Sequence, residues 1–395
     1  MNTFFISTPI GFEEQTLKDM KAVWPYLLAK NAQKHDLPFP EVFIDLGGLE
    51  FQADMFTGVQ LNFFLKTANR ILFRMAAFKA RDLPKFYQKM RSLPWIDFLQ
   101  HGNVAFEVAA QKSRLNNEKR LEESARQALD EIFKGAKGPK PCAKIYIRMD
   151  DDNCTISLDT TGEHLHKRGW SVLKGEAPLR ETLAAGLIKS MIENEAAEDL
   201  AKITLYDPMM GAGTFLTEGR ALFAGQFQRP YAFQEWKRAP KLFLSNSFAL
   251  NYQMPTQIPF AGFKGRDVNP EMLSVVKENF AEVEKQLAGY QKKSFAAADL
   301  DVAISDSLKE LEPASGPSWM VVNPPYGERL EKAGSGIKIN DLAERFCKFG
   351  KPQKLGILFP EKYPLTVAPM GYKVAKEIKI NNGGIRCLWT VLSAL

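Results

Sequence analysis

The sequence predicts an α/β protein whose larger, C-terminal part is a doubly wound sheet with a single ligand edge, preceded by α+β units. Three observations predict it. Four consecutive β-prone runs each stop at a polar residue (Asp207, Asp267, Asp299 and Asn323), with helical stretches between them. The chain then closes on an antiparallel hairpin, residues 376–380 and 385–392 around Asn381-Asn382-Gly383-Gly384. The first 160 residues instead read as β-α-β-β-α and then strand, helix, strand, helix and hairpin.

At 395 residues the chain exceeds one ordinary core. Three domains are expected, at 1–65, 66–160 and 161–395. The 45% hydrophobic and 25% charged fractions are those of a soluble globular protein. No basic cluster precedes the apolar run from Phe4 to Ile6, and no later window approaches 18 apolar residues. Neither signal peptide nor membrane span is expected, and a cytoplasmic location follows. Cys142, Cys154, Cys347 and Cys387 form no CxxC pair, and His164-x-His166 has no third ligand of matching spacing. Neither a disulfide framework nor a metal site is expected.

Charge is unevenly placed. Residues 1–60 hold four Lys/Arg against eight Asp/Glu, residues 61–149 eighteen against eight, and residues 150–160 four acids alone. A +10 segment inside a chain of net charge +6 is the footprint expected of phosphate-backbone binding.

Taken in order, residues 3–7 read as a strand and 13–24 as an amphipathic helix with Leu17, Met20 and Val23 on one face. Residues 42–46 and 49–52 flank Gly47-Gly48 as a hairpin, and 57–66 read as a helix, a ferredoxin-like order. A strand at 70–76 opens the next unit, followed by a helix at 82–93 carrying Lys85, Lys89 and Arg91. A strand at 104–110 runs into the loop 111–117, and a helix at 118–133 follows with Leu121, Ala125, Leu129 and Ile132 as its core stripe. Lys112, Arg114, Lys119 and Arg120 cluster at that loop and helix start. Basic groups there oppose the helix dipole, so an anion explains them better than helix stability does.

The strand-helix-Trp run from 70 to 99, with the Lys112-x-Arg114 loop and its helix, resembles a THUMP domain, a module that binds RNA in RNA-modifying enzymes. The link that follows, Leu165-His166-Lys167-Arg168-Gly169-Trp170 with Ala177-Pro178-Leu179-Arg180-Glu181-Thr182-Leu183, is similar to the link between THUMP and catalytic domains in one family. That family is the guanine-N2 RNA methyltransferases, including the N-terminal half of the fused 23S rRNA enzyme. The resemblance implies RNA binding through Lys112, Arg114, Lys119, Arg120, Lys85 and Lys89, with rRNA as first choice of substrate and tRNA as second.

After a helix at 181–195, the buried run 203–206 ends at Asp207-Pro208-Met209-Met210-Gly211-Ala212-Gly213-Thr214, and another helix follows. Strand, Gly-rich turn and helix form nucleotide-binding geometry. The turn lacks the third glycine of a dinucleotide fingerprint and the Lys-Ser/Thr of a P-loop, so neither NAD nor ATP is favoured. The resemblance implies S-adenosylmethionine instead, its amino-acid end at Asp207, Pro208, Gly211, Gly213 and Thr214. Family members have Cys and Ser where this chain has Met210 and Ala212.

An aromatic-rich stretch, 225–262, delays the next strand, which closes at Asp267. A carboxylate there can accept both ribose hydroxyls, although capping the helix that begins at Pro270 is the plain alternative. A third strand is expected to end at 295–299, with Asp299 receiving the adenine amino group, Asp301 as the fallback and Phe295 packing on the ring.

The fourth strand, 319–322, stops at Asn323-Pro324-Pro325-Tyr326, because proline cannot donate to a ladder. An amide oxygen, a free carbonyl and a flat ring suit an amino-bearing base. Asn323 and Pro324 can hold its NH2 while Tyr326 stacks on its face. A Pro-Pro turn after a core strand is the bland alternative. A fifth strand at 355–359 and the closing hairpin complete a Rossmann-like class I methyltransferase sheet of seven strands. Three rivals stand beside guanine-N2 transfer. The Asn-Pro-Pro-Tyr run also resembles DNA adenine-N6 methyltransferases, the fold could serve a non-catalytic RNA-binding or ribosome-assembly protein, and the substrate could be a small molecule or protein.

Overall fold

A computed structural model describes the chain except for residues 30–37, 174–178, 194, 246–247, 253–259, 291–296 and 326–337. It divides into two compact units. The first comprises Met1–Thr8, Met20–Leu165 and Arg229–Tyr252, and the second Pro9–Asp19, His166–Gln228 and Gln253–Leu395.

The first unit is built on β1 (Asn2–Ser7), β2 (Val42–Asp45), β3 (Gly48–Ala53), β4 (Arg70–Lys79), β5 (Ala105–Gln111), β6 (Lys144–Asp150) and β7 (Asn153–Asp159). They form one sheet in the order β2-β3-β1-β4-β7-β6-β5, antiparallel throughout except for β5 beside β6. The boundary expected at 65/66 therefore falls inside a continuous sheet. The cause is β4, whose two edges serve both halves: one pairs with β1 over Arg70–Arg74, and the other with β7 from Leu72 to Lys79. One face of β6 buries Ile145, Ile147 and Met149, while Lys144, Tyr146 and Arg148 alternate onto the other. The helices Leu83–Ser92 and Glu118–Ile132 pack on each other and bury Phe86, Met90, Leu121, Ala125 and Leu129.

The aromatic stretch read as a delay within the C-terminal sheet belongs largely to this first unit. Phe63, on the buried helix Met55–Phe64, has the rings of Tyr231, Phe233, Phe243, Phe248 and Tyr252 within 4.8 to 6.3 Å. Offset and edge-on ring packing of this kind contributes about 0.5–1.5 kcal/mol per pair beyond area burial. Residues 229–252 thus fill a core whose other wall was made by residues 56–64.

In the second unit the sheet order is β10-β9-β8-β11-β12-β14-β13, from β8 (Thr204–Asp207), β9 (Gly262–Asp267), β10 (Asp299–Ile304), β11 (Ser318–Val322), β12 (Lys354–Pro360), β13 (Tyr372–Asn382) and β14 (Ile385–Ala394). The first five in that order are parallel, and β12, β14 and β13 are antiparallel. Trp319, Met320, Val321 and Val322 are all buried, as a parallel strand covered on both faces must be. Chain order reverses between β8 and β11, the switch point at which open α/β sheets hold ligands. The first residues of the second unit after Leu165 are held to its helix Thr214–Arg220 by a buried ion pair. Arg168 Nε donates to both Glu218 carboxylate oxygens at 3.2 Å, and Trp170 Nε1 donates to one of them at 3.1 Å.

Candidate active site at the carboxyl edge of the second sheet

Parallel register brings the strand ends to one edge. Asp207 is level with Gly265, and Asp267 with Ile304, while Met320 is level with Tyr206. Asn323 follows the end of β11 on that edge.

The turn after β8 is shaped by its glycines. Gly211 (φ +50°) and Gly213 (φ +77°) adopt left-handed backbone, and Thr214 opens the helix Thr214–Arg220. A Cβ on Gly213 would meet Val276 at 2.9 Å, whereas one on Gly211 would meet nothing within 4 Å. Space above Gly211 is open. Asp207 is buried, and its Oδ1 accepts one backbone N–H, from Met209 at 3.0 Å. Burial pushes its carboxyl up to about 8; the Met209 N–H opposes that shift and the neighbouring Asp267 charge adds to it.

Asp267 accepts the Gly211 N–H at 2.8 Å on one oxygen and the Asn269 N–H at 2.9 Å on the other. The helix Glu271–Tyr290 is capped instead by Asn269, whose Oδ1 accepts the Glu271 N–H at 3.0 Å. Asp267 is therefore not the helix cap. It is a carboxylate oriented by two amides, with lone pairs left over. The same contact ties Gly211 of the glycine turn to the end of β9.

The expected third strand is misplaced. β10 runs from Asp299 to Ile304, so Asp299 stands at its amino end, level with Gly262 and away from the ligand edge. Asp301, the fallback, is held at both oxygens by Arg266, at 3.0 and 2.9 Å. Phe295 lies outside the described residues. The acid at the right edge is Asp306: the Ser305 N–H donates to the Asp267 carbonyl at 2.9 Å, and Asp306 follows. Its Oδ1 accepts the Leu308 N–H at 3.0 Å. Ser307 Oγ donates to the Pro208 carbonyl at 2.6 Å, tying this loop to the glycine turn. The signal was in the sequence: Val302-Ala303-Ile304 is the β-prone run, and Ser-Asp-Ser punctuates it.

At the end of β11 the Asn323 side chain is half-buried, and its Oδ1, shut off from solvent, has no hydrogen-bond partner among the described residues. Pro324 is buried and Pro325 half-buried. Tyr326 lies outside the described residues. A buried acceptor without a donor is rare in folded proteins and asks for an explanation.

In the first unit, Lys85, Lys89, Lys112, Arg114, Lys119 and Arg120 are all exposed. Their loop is held by a residue that sequence reading missed. Asp152 Oδ1 accepts the Arg114 N–H at 2.8 Å, its Oδ2 accepts from Arg81 Nε at 2.7 Å, and its own N–H donates to Ser113 Oγ at 3.0 Å. The Arg114 N–H, helped by Arg81, holds the Asp152 carboxyl below the usual range. Lys112, Asp151 and Asp152 all have positive φ, at 46°, 48° and 60°. The acidic run is a latch for the basic loop.

The family model described as UPF0020, RMKL-like, methyltransferase domain, matches residues 168–391. The chain is 26% identical over 360 residues to the ribosomal RNA large subunit methyltransferase K/L of Psychromonas ingrahamii, covering 87% of this chain and 45% of that protein. It thus spans about half the length of the K/L relatives it matches. It is 27% identical over 407 residues to YpsC of Bacillus subtilis, covering 97% and 94% of the two chains. The crystal structure of SMU.472 complexed with SAH superposes with a TM-score of 0.75 at 23% identity, over 100% of this chain and 98% of that one, and shares its fold. With more than half of its length matched, the chain belongs to the RMKL-like methyltransferase domain family.

Proposed function

We propose that the protein is an S-adenosylmethionine-dependent RNA methyltransferase acting on the exocyclic N2 of a guanosine, in rRNA as first choice and tRNA as second. The observation that carries this reading is the Asn323 Oδ1 at the end of β11, buried without a hydrogen-bond partner among the described residues. The cofactor suits the residues present. Asp207, buried with one backbone partner, offers a counter-charge for an α-ammonium group; Asp267 faces the edge with acceptors for two ribose hydroxyls; Asp306 takes the adenine contact first assigned to Asp299. S-adenosylmethionine, when bound, supplies an electrophilic methyl group on a sulfonium.

The chain's own residues have to make a conjugated amine nucleophilic. Asn323 Oδ1 and the Pro324 carbonyl accept the two N–H bonds of the NH2. This draws the nitrogen lone pair out of conjugation and aims it along the transfer line. The extra proton on the product nitrogen leaves to water, and no strong general base is needed. Tyr326, outside the described residues, keeps the stacking role expected from sequence. Extruding the base costs a few kcal/mol by the general rule for flipped nucleotides. The exposed basic surface of the first unit supports RNA over a small-molecule or protein substrate, as do the names of the K/L relatives.

Incubation with methyl-labelled S-adenosylmethionine and RNA from a deletion strain, followed by nucleoside mass spectrometry, is expected to yield labelled N2-methylguanosine. Label only in N6-methyladenine of DNA would transfer the site to the runner-up reading, because the same two acceptors hold an adenine amine equally well. Absence of label from every nucleic acid would leave a non-catalytic binding protein.

A further inference from the structure

One part of the ligand edge remains without a role: the ledge that follows β12. Parallel pairing places Val322, the last residue of β11, level with Ile357, and β12 runs on to Pro360 at the same edge of the sheet. The chain turns there, the Tyr363 N–H donating to the Pro360 carbonyl at 2.9 Å, so Lys362-Tyr363 follow the carboxyl end of β12, the strand that neighbours β11.

Tyr363 is 48% exposed, although its ring packs edge-on against the buried Phe359 at 6.2 Å. Lys362 Nζ lies 4.7 Å from the ring centroid and has no acidic partner among the described residues. The ledge is fixed on both sides. The Glu361 N–H donates to the Arg386 carbonyl at 2.9 Å, and Glu361 pairs with Lys379 at 2.7 Å. Beyond Tyr363, Thr366 exchanges two hydrogen bonds with Asn340, at 2.6 and 3.0 Å. Lys379 and Arg386 thus act on the Glu361 carboxylate, while Lys362 sits over the outward Tyr363 ring.

We infer that this ledge is a nucleotide-binding subsite, in which the base flanking the methylated one stacks on Tyr363 while Lys362 and Arg386 take its phosphates. This rests on the RNA-methyltransferase reading of the same edge. A rigidly held aromatic accepts any base on its face, and stacking of this kind is sequence-tolerant. A cation already poised beside the ring adds phosphate attraction without ordering a new side chain. The +10 segment of the first unit would supply bulk affinity for RNA, and the ledge would supply register at the reacting nucleotide.

The test uses the full chain, saturating S-adenosylhomocysteine and a fluorescein-labelled single-stranded RNA of mixed sequence, read by anisotropy over a salt series. Tyr363→Ala is expected to weaken binding about tenfold, equivalent to roughly 1.4 kcal/mol. Tyr363→Phe is expected to bind within about twofold of wild type. Lys362→Ala with Arg386→Ala should flatten the slope of log affinity against log salt by about 1.4, from two single-strand phosphate contacts. S-adenosylhomocysteine affinity, measured by calorimetry, is expected to be the same in all variants. Wild-type binding that Tyr363→Ala leaves unchanged overturns the ledge alone and assigns the ring to a protein partner. A Phe variant as weak as Ala also overturns it, since the ring would not be the contact. Failure of the wild-type chain to bind RNA would sink the parent reading with it.

Discussion

Two turns, one in each unit, are each organised by one aspartate, and they are organised in opposite ways. At 150–153, Asp152 has both carboxylate oxygens occupied by donors, and its carboxyl is held down by them. At 207–213, Asp207 is more deeply buried, has one backbone donor, and its carboxyl is pushed up. Asn323 extends the second pattern and the Arg168–Glu218 pair the first. Completed polar groups hold the backbone in place. Incomplete ones at a sheet edge wait for a ligand, because burying a polar group without a partner costs about 1–3 kcal/mol that only a ligand can return.

The comparison can be broken most directly at the completed end. Glu218→Ala removes the carboxylate that pairs with the fully buried Arg168 guanidinium. It should cost about 3–5 kcal/mol in urea-induced unfolding. A loss below 1 kcal/mol would mean that the pair is not holding the link.

Asn323→Ala is the matching change at the incomplete end. Removing a pre-aimed polar contact of this kind lowers kcat by about 10²–10³-fold, and little loss of stability is expected because Asn323 Oδ1 has no hydrogen-bond partner among the described residues. A variant that methylates at the wild-type rate would remove the amine-acceptor role.

Asp207 sharpens the contrast through pH. Its folded value of about 8 lies above the unfolded carboxyl value of roughly 3.9. The folded, cofactor-free protein therefore keeps a proton that the unfolded chain gives up. The stability gained is full below about pH 4 and is lost as pH rises towards about 8. Pairing with a cationic amine expels that proton, so cofactor affinity should rise with pH across the same window. Calorimetry in buffers of different ionisation enthalpy should register proton release, and Asp207→Asn should abolish it. The smallest effect belongs to the basic loop. Replacing Lys112, Arg114 and Arg120 by Ala should leave methylation of a free nucleoside unchanged while reducing the salt slope of RNA binding by about two.

The comparison also explains what the sequence could and could not reveal. Strand 318–322 is legible as a short apolar run closed by Asn-Pro-Pro, and 204–207 as one closed by Asp-Pro and a glycine turn; 262–267 holds Lys264 and Arg266 and is marked mainly by the Asp267 and Pro270 that follow it. Asp207, Asp267 and Asn323 were legible for the same reason, as the polar residue that ends each run. Asp299 misled because Phe295-Ala-Ala-Ala looks like a strand approaching an acid, while the true strand carries acids of its own at Asp299 and Asp301. The Asp152 latch and the pairing of β1 with β4 were hidden for a different reason. Both join residues some forty to seventy positions apart, and local periodicity carries no record of such partners.

The aromatic core around Phe63 has a consequence for how the chain is made. Residues 229–252, which complete that core, leave the ribosome after Leu165 has already ended the rest of the first unit. At about 5–20 residues per second, the intervening 87 positions take on the order of 4–17 s to synthesise. Through that interval Phe56, Phe63 and Phe64 lack the rings of Phe243, Tyr231 and Tyr252 that later pack on them, so the first unit is completed only once Tyr252 has been made. An expressed fragment ending at 160 would expose the same surface permanently and is expected to aggregate.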